Sequence, residues 1–174
     1  MANIKKGNEI DIMGPLGRGY DVLSLKKGQT ALLVGGGIGV PPLYELAKQF
    51  NQRGIKTITI LGFNSKDEVF YEDEFKKFGE TYVSTVDGSV GTKGFVTDVI
   101  KKLQAENNLV FDKYYSCGPV PMLKALISTV GEDGYVSLEN RMACGIGACY
   151  ACVCKKKKKD IIAYDEKKVE YTRV

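Results

Sequence analysis

The chain contains no histidine and no tryptophan among its 174 residues. Without histidine there is no Ser-His-Asp or Cys-His nucleophile, no His-ligated zinc and no Rieske-type cluster. Long hydrophobic runs are also missing. The opening, MANIKKGNEIDIMG, carries no apolar stretch fit for a secretory signal or a membrane span. Excess charge of one sign is slight: 25 Lys and Arg against 21 Asp and Glu leave a net +4, too little and too evenly spread to argue for nucleic acid. The expectation is a chain of the reducing cytoplasm with neither a membrane nor a nucleic-acid partner. Its cysteines are then thiols or metal ligands rather than disulfides.

What is present suits one domain with a small appendage: hydrophobic residues make up 44% and charged residues 26%. Residues 1–25 read as a fragment, with a strand-like run Glu9–Met13 and a turn cluster Gly14–Gly19. They either pack on the residues C-terminal to them or are the tail of another domain. Thr30–Val34 is a short apolar run, read as a buried parallel strand. A glycine turn comes next, then Leu43, Leu46, Ala47 and Phe50 at helical spacing, Gly54 as the stop, and a second apolar strand, Thr57–Leu61. Strand, turn, helix and strand make a right-handed βαβ unit. The alternation continues with a helix over 72–78, a strand over 81–85, a helix over 95–103, a strand over 113–116 and a helix over 122–130. Residues 26–136 are thus expected to form one doubly wound α/β domain on a parallel, five-stranded-type sheet. After Tyr135 the texture changes. Residues 137–174 read as a small cysteine-rich module, with Ile161–Tyr164 and Lys168–Tyr171 as two strands of a hairpin.

Three patterns carry chemistry. Gly35, Gly36, Gly37, Ile38, Gly39, Val40 and Pro41 link a strand to a helix. Missing Cβ atoms let a diphosphate approach the backbone, and the helix start supplies N–H donors and positive potential. The spacing departs from G-x-G-x-x-G, so a ligand-free tight turn is an equal reading. Cys117, Gly118 and Pro119 come after a later strand and would meet the first turn at one sheet edge. Cys117 is either a small buried apolar residue or a thiol beside a nicotinamide.

The third pattern is the most specific. Cys144, Cys149 and Cys152 have C-x4-C-x2-C spacing, the leading part of the plant-type [2Fe–2S] ligand set. Structural zinc favours two C-x2-C-like knuckles, and here there is one. A fourth, distant cysteine is missing, which leaves Cys154 as a possible surrogate at tight spacing. Lys155–Lys159 has no interleaved aromatic residues for base stacking and reads as a solvated run, or as a docking point for an acidic partner. Asp67 and Glu68 come after the second strand, where a ribose hydroxyl is often held, but Ser65 and Lys66 beside them leave NADH against NADPH open.

With these residues in view, the chain resembles the electron transfer subunits of NAD-dependent dihydroorotate dehydrogenase, in the ferredoxin-reductase superfamily. The resemblance lies in Gly14–Tyr20, Gly35–Leu43, Asp87–Gly91, Ser116–Pro119 and Glu139–Cys149, and it spans nearly the whole chain. It implies an FAD-binding β-barrel, then a nicotinamide-binding α/β domain, then a [2Fe–2S] module. Residues 1–25 would be a remnant of the barrel and linker. Gly35–Pro41 and Cys117–Pro119 would line the nicotinamide and diphosphate site. Cys144, Cys149 and Cys152 would be three cluster ligands, with the fourth in a segment just past Val174. The resemblance further implies dihydroorotate oxidation at FMN in a separate catalytic subunit, within a heterotetramer. Electrons would pass singly through the cluster to FAD and reach NAD+ as a hydride. The small subunit of an NADH-dependent ferredoxin:NADP oxidoreductase or of a sulfide dehydrogenase is the alternative within the superfamily. A non-enzymatic nucleotide- or metal-binding module is the alternative outside it.

Overall fold

The computed structural model describes residues 4–14, 19–138, 143–146, 148–149, 153–155 and 171–173. The chain divides into two compact units, Tyr20–Glu139 and the pair of segments Met1–Gly19 and Asn140–Val174.

The larger unit is built on one sheet. Its strands are β1 (Thr30–Gly36), β2 (Lys56–Phe63), β3 (Gly79–Thr85), β4 (Thr92–Lys93), β5 (Lys113–Gly118) and β6 (Gly134–Leu138). They lie in the order β4-β3-β2-β1-β5-β6, and every pairing is parallel. Helices α1 (Val40–Gln52), α2 (Glu72–Lys76), α3 (Val96–Ala105) and α4 (Val120–Val130) make the crossovers. The sheet is the expected parallel, doubly wound type: β1, β2, β3 and β5 are the four strands named from the sequence, and β4 and β6 extend it to six. Strand β4 pairs only two residues, Thr92 with Ser84 and Lys93 with Thr85. So short a pairing leaves no period-2 pattern to read.

Burial on both faces explains the continuous apolar run of β1. Leu33, Leu61, Val83 and Tyr115 point to the face covered by α1 and α2, where they meet Leu43, Leu46, Phe50 and Phe75. Leu32, Val34, Ile60 and Tyr114 point to the other face, against Val96, Val99, Ile100 and Leu103 of α3 and Leu126 of α4. Each fully buried leucine or isoleucine contributes about 2 kcal/mol of transfer free energy. Helix α1 starts with Pro41 and Pro42 in its first turn, where a missing N–H costs little. It stops at Gly54, whose φ of +70° reverses the chain. The Ile55 N–H then reaches back to the Phe50 carbonyl at 2.9 Å, and Ile55 itself is buried.

Residues Tyr20–Leu25 pack on this unit. The Tyr20 hydroxyl donates to the Ser116 carbonyl at 2.8 Å, Ser24 Oγ shares a 2.7 Å hydrogen bond with the Tyr115 hydroxyl, and Leu25 is buried. Burial is the main reason the Tyr20 hydroxyl titrates far above the usual tyrosine range, with Cys117 adding to it.

In the other unit, the strand-like run Glu9–Met13 forms no strand. Ile10, Ile12 and Met13 are exposed, and among the described residues no strand pairs with them. Backbone ladder bonds need a partner strand, so alternation alone does not make one. The pairing that does form is antiparallel, between β7 (Val153–Lys155) and β8 (Tyr171–Arg173). The expected strand Ile161–Tyr164, most of Lys168–Tyr171 and the lysines 156–159 lie outside the described residues.

Candidate functional site

All strands of a parallel sheet end on the same edge, and the order turns between β1 and β5. Ligands of such sheets bind at that edge, where the crossovers leave in opposite directions. At the end of β1 the chain makes one tight 3-10 turn, Gly37–Gly39, and enters α1. At the end of β5 it passes through Gly118, with φ +154°, and Pro119 into α4. The two turns touch. A Cβ on Gly39 would stand 2.2 Å from the Cys117 carbonyl oxygen, and one on Gly118 would stand 3.2 Å from the Gly36 nitrogen.

The glycines do different jobs. The bare face of Gly35 is filled by Val40 and Leu43, that of Gly36 by Met122, and that of Gly39 by β5 backbone. Gly37 alone among them has φ +51° and open space where its Cβ would be. The expectation that missing Cβ atoms open room for a diphosphate thus describes Gly37. Gly35 and Gly39 are glycines because protein fills the space.

A cavity of about 420 Å³ opens on this edge, between the N-termini of α3 and α4. Gly36, Gly37 and Pro119 line it. Gly35, Gly39, Val40, Cys117 and Gly118 are buried, while Ile38 and Pro41 are exposed. Cys117, 3% exposed, belongs to the core cluster of the α1 face and does not line the cavity. The opposite wall adds Asn64 and Glu68 beyond β2, Ser84 at the end of β3, and Phe95 and Met122. Ser84, Phe95 and Met122 escape a sequence reading, because only the topology brings strand ends and helix starts to one edge. Phe95 closes the start of α3: its N–H donates to Asp98 Oδ2 at 2.8 Å.

The cysteine loop is a separate, small site. Cys144 Sγ accepts the Cys149 N–H at 3.4 Å. Cys149, through its N–H and its thiol, and the N–H groups of Ile146 and Ala148 lower the Cys144 pKa to about 6. Gly145, with φ +72°, lets the loop turn its amides inward. This donor set stabilises a thiolate, the form in which cysteine binds metal, so the loop fits an iron–sulfur ligand. Cys152 lies outside the described residues, and Cys154 sits in β7 opposite Thr172. Among the described residues no three metal-ligating side chains gather. No helix among them is long and apolar enough to cross a membrane.

Comparison with known proteins places this geometry. The family described as the oxidoreductase NAD-binding domain matches residues 33–127. The chain belongs to the oxidoreductase NAD-binding domain family. A second family, the iron-sulfur cluster binding domain of dihydroorotate dehydrogenase B, matches residues 139–169. The chain is 88% identical, over all of its 174 residues, to a dihydroorotate dehydrogenase B (NAD(+)) electron transfer subunit of Fusobacterium nucleatum subsp. nucleatum, covering 64% of that protein. It is 56% identical over 170 residues to the subunit of the same name from Lysinibacillus sphaericus, covering 97% of this chain and 64% of that one. The chain thus spans under two thirds of the length of these relatives. Among solved structures, one of an NADH-dependent reduced ferredoxin-NADP oxidoreductase is 36% identical with a TM-score of 0.74, covering 86% of this chain and 54% of the other. The oxidoreductase NAD-binding domain is the ferredoxin-reductase-like α/β unit described above. The second half of β1, the glycine turn and the residues that line the cavity at the sheet edge fall within the matched residues.

Proposed function

We propose that the chain works as part of the electron transfer subunit of an NAD-dependent dihydroorotate dehydrogenase, in the cytoplasm. The observation that carries this is the pairing, in one chain, of a cavity at a glycine-turn sheet edge with a cysteine loop whose amides favour a thiolate. The names of the relatives and the iron–sulfur family match over 139–169 support the same reading.

On this reading Gly36, Gly37 and Pro119 hold the nicotinamide dinucleotide, with Gly35, Ile38, Gly39, Val40, Pro41, Cys117 and Gly118 shaping the two turns beneath it. Cys144, Cys149 and Cys152 hold a [2Fe–2S] cluster, with Cys154 or a residue from outside these as the fourth ligand. When bound, these groups and FAD supply the conversion between one-electron and two-electron transfer. The chain's own residues supply position and charge. The amides around Cys144 hold a negative sulfur, and the glycine turn brings backbone N–H groups close to a diphosphate. FAD enters from the resemblance, and no residue is assigned to it. Ile146, exposed within the cysteine loop, offers apolar surface to the FMN-containing catalytic subunit, which is the proposed partner.

The test is iron and acid-labile sulfide per chain, with a visible spectrum, after anaerobic reconstitution. Two of each per chain supports a complete cluster, and copurification with a FMN-containing catalytic subunit supports the dihydroorotate assignment. Little iron removes the cluster from the proposal. Copurification with a larger flavoprotein instead favours the small subunit of an NADH-dependent ferredoxin:NADP oxidoreductase, to which the 36% identity gives weight.

A further inference from the structure

Met122 is packed where the two glycine turns meet. It is the third residue of α4, half-buried, and it lines the cavity. Its Sδ fills the bare face of Gly36, 2.5 Å from where a Cβ would stand, and its methyl carbon fills that of Gly118, at 2.6 Å. One thioether thus wedges the end of β1 against the end of β5. An unbranched chain with a polarisable sulfur suits so irregular a gap. The wall around it is apolar: Val96, Pro119, Pro121 and Ala125 line the cavity and carry no side-chain hydrogen-bond donor.

Of the four methionines, Met13 and Met122 lie among the described residues. Met13 is 61% exposed and belongs to the other unit. Met122 meets solvent through the cavity, so a small oxidant reaches it there and a ligand in the cavity covers it. Hydrogen peroxide oxidises a thioether by two electrons: its O–O bond breaks, one oxygen joins the sulfur, and the other leaves as water. The product is a polar, chiral sulfoxide. Its new oxygen has no room on the Gly36 side, where even a Cβ would overlap the sulfur. The oxygen is therefore directed into the cavity, along the part of the wall that offers it no side-chain donor.

We propose that Met122 is an oxidation site that controls ligand entry to this cavity: peroxide converts its thioether to the sulfoxide, and the sulfoxide shuts out the dinucleotide. This rests on the reading of the cavity as a nicotinamide dinucleotide site. A ligand that covers Met122 buries the sulfoxide oxygen without a donor, which weakens binding by about tenfold. The same contact works in reverse, because a bound ligand shields the sulfur from peroxide. The change is reversible, since methionine sulfoxide reductases return the thioether at the expense of a thiol.

The test treats the full chain with hydrogen peroxide, with and without NADH, and then with a thiol that reverses disulfides and sulfenic acids but leaves sulfoxides. Peptide mass spectrometry reads oxygen gained at Met13 and Met122, and calorimetry reads NADH affinity before and after. Met122 is expected to be oxidised, and NADH to slow that oxidation several-fold while leaving Met13 unchanged. Affinity for NADH is expected to fall about tenfold and to return after treatment with both epimer-specific methionine sulfoxide reductases. Met122→Leu, which has no sulfur to oxidise, is expected to keep after peroxide whatever affinity it had before. An unoxidised Met122, a sulfoxide that leaves affinity unchanged, or an equal loss in Met122→Leu overturns the role of Met122 while the dinucleotide site stands. So does affinity that stays low once the sulfoxide has been reduced. Failure of the untreated chain to bind NADH overturns the site and this assignment together.

Discussion

Gly39 and Cys117 meet backbone to backbone: a Cβ on Gly39 would lie 2.2 Å from the Cys117 carbonyl oxygen and 2.4 Å from its carbon. No rotamer relieves that contact, because both partners are main chain. The φ of Gly39 is −74°, so an alanine would suit its dihedrals and fails on space alone. Gly39→Ala is therefore expected to push the β1 and β5 turns apart and to cost about 3 kcal/mol. Urea unfolding is the check: the midpoint falls while the slope holds. An unchanged midpoint would mean that the two turns are not packed as described.

Gly37 predicts the opposite balance. Its Cβ would meet no protein atom, yet its φ of +51° disfavours any L side chain. Gly37→Ala then costs about 1 kcal/mol of stability. The larger effect falls on NADH binding, because the new methyl projects into the space proposed for the diphosphate. A loss of at least tenfold is expected, the weight of about one backbone contact to a charged group. Calorimetry on a variant shown to be folded decides it, and NADH affinity within twofold of the parent would count against the diphosphate position.

These two glycines show what was legible in the sequence. The βαβ unit from Thr30 to Leu61 was, because apolar runs, Pro-rich helix entry and a Gly54 stop agree with one another. The cysteine loop was legible from spacing. Spacing does not say whether a glycine's empty face meets protein or solvent, so Gly37 and Gly39 looked alike. The same holds for Lys66, Asp67 and Glu68, where only the folded rim shows which side chain lines the cavity. Strand β4 was hidden by its two-residue length. Glu9–Met13 alternates without forming a strand, because among the described residues none lies beside it to complete a ladder.

Asp112 ties the start of β5 to the start of β1. Its carboxylate accepts the Thr30 N–H at 2.8 Å and the Gln29 side-chain amide at 2.9 Å. These donors, the Thr30 amide first, lower its pKa below the ordinary carboxylate value. A group depressed in the folded state stabilises fully above its unfolded pKa, about 4, and loses that contribution as pH falls through the folded value. Asp112→Asn should thus lower Tm at pH 7, and the gap to the parent should close as the solution is acidified below the ordinary carboxylate range. A gap that stays constant across that range would assign the effect to shape rather than charge.

Cys117 and Cys144 sit in different settings with separable readouts. Cys117 is 3% exposed in the core of the α/β unit, while Cys144 is part-exposed in a loop that lowers its pKa to about 6 through amide donors. Cys117→Ser places a hydroxyl in apolar packing and is expected to cost about 1–3 kcal/mol, with iron content after reconstitution unchanged. Cys144→Ser is expected to leave the melting of the α/β unit alone and to lose most of the iron, because an alcohol does not ionise near neutral pH as the thiol does. Iron analysis beside thermal melting of both variants reads the two effects independently. Equal iron loss in both would mean that Cys117 serves the metal site, and iron retained in Cys144→Ser would remove Cys144 from the ligand set.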